Sequence, residues 1–144
     1  MIIIILYLIL LAICHAKMEL MSEGKAGWGL RFPCWRINNR LINLLINKEL
    51  TGYHFYMCIL FLLLFHSPFL FISFSLKKEL ITMGLFFWYW IFEDFFWFAE
   101  SNYYGLRNFK KGRIYWHKRF FCFLPVSYWE SIIIGSILLI LGGK

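Results

Sequence analysis

Four apolar runs, separated by two long basic segments and one short turn, set the organisation of this chain. Residues 1–16, 53–74, 80–99 and 120–141 each read as a membrane-crossing helix. The second run, YHFYMCILFLLLFHSPFLFISF, is long enough for a ~30 Å hydrocarbon core, whereas the first reaches only ~24 Å at 1.5 Å per residue. The first is therefore either a short span or an uncleaved signal anchor. We favour the span, because no small-residue cleavage site precedes Lys17. Pro68 should kink the second helix and free the carbonyl near Leu64. Pro125 falls in the first turn of the fourth, where its missing N–H costs nothing. Ser127, Ser131 and Gly135 then recur every fourth residue, a small-residue stripe that admits a close neighbouring helix. Glu130 flanks the stripe and should face that neighbour.

Between Arg36 and Leu50 the pattern changes. Arg36, Arg40, Asn43 and Asn47 recur at helical spacing, with Ile37, Leu41, Leu44 and Leu45 opposite them. This predicts an amphipathic helix over 36–50, lying in the headgroup plane or packed across the ends of the spans. The predicted fold class is all-α: a polytopic membrane protein in a single domain over 1–144, with four transmembrane helices plus an interfacial amphipathic helix.

Composition removes the soluble alternatives. A chain that is 61% hydrophobic, with a mean hydropathy of +0.65, is too apolar for an ordinary soluble domain. The net charge of +7 does not point to nucleic acid, because Lys and Arg sit between apolar runs, where membrane lipids and the positive-inside rule account for them. Twelve of these residues lie in the segments 17–52 and 101–119, against Lys77, Lys78 and Lys144 elsewhere, which places both long basic segments in the cytoplasm. The cysteines, Cys14, Cys34, Cys58 and Cys122, have no C-x-x-C spacing, so they define neither a zinc knuckle nor a redox pair. His15 reads as an interface residue at the helix end and not as a ligand, and His66 as a buried neutral ring bonded to a backbone carbonyl.

Candidate chemistry gathers at Glu93 and Asp94, adjacent carboxylates inside an aromatic run. Charged groups at such a depth are costly and mark function or pairing. Glu93 lies about 9 Å from the cytoplasmic edge and Glu130 about 7 Å inside it; His54, Glu100 and His117 belong to the same leaflet. Phe86, Trp90, Glu93, Trp97 and Glu100 form one helical stripe.

Three readings follow. The acids are structural, paired with Arg or Lys from the loops, with Arg107, Arg113 and Arg119 in reach. Alternatively, His54, Glu93, Asp94, Glu100 and His117 hold a divalent metal, or Glu93, Asp94 and His117 perform acid–base chemistry on a lipid-like substrate. In the third, the chain is a small carrier or a subunit, as a homo-oligomer or within a larger membrane complex. The structural reading is favoured, since ion pairs are common at interfaces and no H-x-x-x-H, H-E-x-x-H or G-x-S-x-G occurs.

The stretches EDFFWF, YYGLRNF and YWHKRF resemble small uncharacterised polytopic membrane proteins of prokaryotes, in which an acidic pair in an aromatic span precedes Tyr-Gly, a Phe and then Trp-His. The likeness covers the second half of the chain, with a weaker echo at KELTGYHFY. It implies a fold and no mechanism.

Overall fold

The computed structural model describes residues 2–144, so the predicted start of the first span at residue 1 lies outside the described residues. Helix α1 (Ile2–Glu23) does not stop at residue 16. Lys, Met, Leu and Glu continue the helix because they are good helix formers, and it ends only where Gly24 takes φ +57°.

The predicted helix over 36–50 is only partly present. Strand β1 (Arg36–Ile37) pairs antiparallel with β2 (Leu50–Thr51), and helix α2 covers only Arg40–Ile46. Asparagines set these limits. The Asn39 side chain accepts the Ile42 N–H, and Asn47 ends the helix at φ 60°.

Helix α3 (Gly52–His66) opens on a Thr51 cap and passes into a 3-10 turn at Ser67–Leu70. Pro68 therefore ends the helix instead of kinking it, and the span stops short of residue 74. The Leu64 carbonyl accepts the Ser67 hydroxyl at 2.7 Å, so no neighbouring helix is needed to satisfy it. His66 bonds the Leu62 carbonyl at 2.7 Å, but it is not the buried neutral ring expected: its side chain is 30% exposed and meets the Glu79 carboxylate at 3.0 Å, which ties α3 to the next helix.

Helix α4 (Leu76–Glu100) is the longest element and lies between α1 and α5, with α3 also against it. Before α5 (Val126–Gly143) comes a hairpin of β3 (Phe120–Phe121) and β4 (Leu124–Pro125), turning at Cys122 with φ 52°. The fourth apolar run thus becomes helical six residues later than 120, with Pro125 just ahead of its first turn. Helices α4 and α5 cross where Gly84 and Gly135 bring their backbones together; a Cβ on Gly84 would sit 2.9 Å from the Gly135 carbonyl.

Three stretches, Ile2–Ala26, Gly52–Leu70 and Val126–Gly143, are long and apolar enough to cross a membrane. Their apolar side chains face mostly outward: only 6% of the Gly52–Leu70 window is buried. Helix α4 is not among them by composition, because its inner positions carry carboxylates, Tyr and Trp. One core layer unites Leu8, Ala12, Phe61, Phe86 and Tyr89; a second unites Ala16, Trp97, Phe98, Ile114 and Trp116.

Candidate metal centre

One face of α1 is buried from Leu8 onward: Leu8, Ala12, His15, Ala16, Glu19 and Glu23. These residues follow the 3.6-residue period. Its first half is apolar and its second half ionisable, so His15, Glu19 and Glu23 stand on successive turns and look into the bundle. Helix α4 sets Tyr89 and Glu93 opposite them, and the first turn of α3 adds His54.

The two histidines are held alike. His15 Nδ1 bonds the Tyr89 hydroxyl at 2.8 Å, leaving Nε2 at 3.7 Å from Glu19 Oε1. His54 Nδ1 bonds Thr51 Oγ1 at 2.6 Å, leaving Nε2 at 3.6 Å from Glu23 Oε1. A hydroxyl fixes each ring, and its free nitrogen points at a carboxylate. Glu93 Oε1 lies 4.0 Å from His15 Nδ1. Potential ligand atoms of His15, Glu19 and Glu93 fall within 4.8 Å of one another, as do those of Glu19, Glu23 and His54.

A strained turn closes the site. Gly27, Trp28 and Gly29 have φ of 62°, 47° and 55°, a conformation that glycine accepts freely and tryptophan does not. It allows the Gly29 N–H to donate to Glu23 at 2.5 Å and stacks Trp28 on His54, with ring centroids 3.7 Å apart. The Gly29 carbonyl in turn accepts from the Arg36 guanidinium, which also pairs with Glu49. Gly27 has no room for a side chain, since a Cβ would lie 2.8 Å from the Trp116 ring.

Beside the cluster lies a cavity of about 380 Å³. Trp28, Trp90, Trp97 and Trp116 supply much of its wall; Glu19, Glu23, Glu93, Asp94 and Glu130 give it an acidic side, relieved by Lys48. Lys48 Nζ sits 3.9 Å over the Trp28 ring and 3.6 Å from Asp94 Oδ2, which also accepts the Tyr128 hydroxyl at 2.7 Å.

Among the residues singled out from the sequence, Glu93 and His54 thus belong to the cluster, and Asp94 lies on the cavity side, bound to α5. Glu100 does not join them; it pairs with Lys17 at 3.0 Å near the surface. His117 is also elsewhere, buried among the rings of Trp116, Phe120 and Tyr128. Burial, with a contribution from Lys48, holds its imidazole well below the usual histidine range, so it is a neutral packing ring. Neither Glu93 nor Asp94 meets Arg107, Arg113 or Arg119; the Arg119 guanidinium donates to the Leu44 carbonyl.

His15, Glu19 and Glu23 were missed. Ending the first helix at residue 16 placed His15 at a boundary and both glutamates in a loop, yet the spacing 15, 19, 23 was a legible signal of a shared face.

No known protein family, curated protein or solved structure matches the chain. Its chemistry must be argued from these side chains.

Proposed function

We propose that this chain is a membrane protein of four spanning helices whose inner cluster binds divalent metal and uses it on a lipid-like molecule held in the aromatic cavity. The observation that supports this reading most is a set of orphaned atoms: His15 Nε2, Glu19 Oε1 and Glu93 Oε1 are buried without a hydrogen-bond partner. Three other acids have a Lys or Arg within 4.0 Å, Glu49 with Arg36, Asp94 with Lys48 and Glu100 with Lys17, and Glu79 meets His66. Glu19, Glu23 and Glu93 meet no Lys or Arg within 4.0 Å among the described residues; their basic neighbours are histidines, and Glu23 also accepts the Gly29 N–H.

A purely structural cluster must either keep these carboxylates protonated or give each a cation, because an uncompensated buried charge costs several kcal/mol. A metal ion supplies one for all three. The Nε2–carboxylate separations, 3.7 Å from His15 to Glu19 and 3.6 Å from His54 to Glu23, are too long for hydrogen bonds but close to the ~3.4 Å edge of a tetrahedron with ~2.1 Å bonds. Imidazole and carboxylate without thiolate suit zinc, manganese or ferrous iron. Held by His15, Glu19 and Glu93 or by Glu19, Glu23 and His54, such an ion would supply Lewis-acid chemistry toward an ester or phosphoryl oxygen. Protein purified in detergent from metal-supplemented cells is expected to carry at least one ion per chain by elemental analysis. Only trace metal, lost on simple dialysis, would remove the reading.

In the same reading α4 is the fourth span, shielded from lipid by its neighbours, and both basic segments face the cytoplasm. Helix α2 lies at the headgroups, with Leu41, Leu44 and Leu45 exposed toward the acyl chains. Cys34, in the first basic segment, is expected to resist a membrane-impermeant thiol reagent in intact cells and to react once the membrane is opened. Equal labelling in both states would reverse or abolish this orientation.

A further inference from the structure

We infer that the cluster is a binuclear centre in which the Glu19 carboxylate bridges two divalent ions, one held by His15 and Glu93, the other by His54 and Glu23. The inference rests on the metal reading above and goes beyond it in number, arrangement and ligand class. Glu19 is the member common to both triads, and each triad adds one imidazole and one further glutamate. The halves share α1, which supplies Glu19 and Glu23, and their histidines, His15 of α1 and His54 of α3, are held alike: each Nδ1 is fixed by a hydroxyl, Tyr89 at 2.8 Å or Thr51 at 2.6 Å, and each Nε2 faces a glutamate of α1. Such outer hydrogen bonds orient metal-ligating imidazoles. His15 and Glu93 each keep 3% of their side-chain surface and Glu19 8%, and each has an unpartnered atom turned into the cluster.

Charge also admits two ions. A single divalent ion leaves three carboxylates with one negative charge in excess, in a site where no Lys or Arg approaches Glu19, Glu23 or Glu93 within 4.0 Å among the described residues. Two ions leave one positive charge facing the cavity. An anionic oxygen, from hydroxide or from the phosphate of an amphiphile, balances it. Lys48, poised over Trp28, adds a second attraction for that anion. Ions sharing a carboxylate sit about 3.5–4 Å apart, the spacing at which a phosphoryl oxygen can contact both.

The test is titration of the metal-free, full-length protein in detergent with Mn2+ alone, followed by elemental analysis and electron paramagnetic resonance. The native chain is expected to take up two ions per chain, with the signal of isolated Mn2+ replaced by that of an exchange-coupled pair. His15→Ala and His54→Ala are each expected to bind one ion and show the isolated six-line signal. Glu19→Gln, which preserves shape and is checked for native helix content, is expected to weaken both sites at least tenfold. One ion per native chain would overturn the bridge while leaving a metal site. Two ions with uncoupled signals, or Glu19→Gln affecting one site alone, would also overturn it. No bound ion would remove the metal reading as well.

Discussion

Glu93→Gln is expected to leave the chelator-treated protein at least as stable as the native chain while lowering its metal affinity by more than the roughly 10- to 100-fold that loss of an outer-shell partner costs. Glu93 sits at 2% exposure with Glu19 and His15 as its ionisable neighbours, and its Oε1 has no donor. Without metal, that arrangement places like charges together in a site that solvates them poorly. Glutamine keeps the shape, removes one charge and brings two N–H donors toward His15 and Glu19. Ionised or protonated, the metal-free carboxyl gives way to a neutral group of the same shape, so the exchange adds no buried charge.

With metal the order should reverse. A ligand present at 100 times its dissociation constant stabilises the native chain by about 2.7 kcal/mol, and Glu93→Gln forfeits most of that gain. Melting curves in detergent, with chelator and with added Mn2+, read both effects. A loss of more than about 2 kcal/mol in chelator would show that Glu93 holds the fold by itself, which is what a structural role requires.

Much of the fold was legible because the spacing of apolar residues is a global signal that survives local error. The centre of each apolar run lies in a helix, and Glu93 was found because a carboxylate among Trp and Phe is conspicuous in any register. The errors were local and shared one cause: a single residue decided where a helix stops. Lys17 looked like the end of a span, yet the chain continued helical to Glu23, and that boundary concealed half of the cluster. Asn39 and Asn47 cut a fifteen-residue amphipathic pattern to Arg40–Ile46. In the segment 101–119, His117 could not be placed from sequence at all. Its position depends on how the irregular segment folds back so that the ring packs against Phe120 and Tyr128, not on periodicity.

The largest effect away from the cluster is expected at the crossing of α4 and α5. A Cβ built on Gly135 would lie 3.0 Å from Trp88 Cδ1, 3.1 Å from Phe87 Cβ and 3.2 Å from the Gly84 carbonyl. One methyl group already requires the neighbour to give way. A leucine has nowhere to go, because the obstacle includes backbone as well as side chain, so Gly135→Leu must push the helices apart. Overpacking of this kind costs about 1–3 kcal/mol, and more where backbone must shift. The displacement also reaches the site: α4 carries Glu93 and Asp94, and the 2.7 Å bond from Tyr128 to Asp94 joins the two helices on the cavity side of the crossing. Gly135→Leu is therefore expected to lower the melting temperature and the metal content together, although the residue lies outside the cluster. Gly143→Leu serves as the comparison, since a Cβ there meets nothing within 4 Å, and it should change neither. If Gly135→Leu melted like the native chain, the close approach of α4 and α5 would not be what positions the carboxylates, and the small-residue stripe would have no structural consequence.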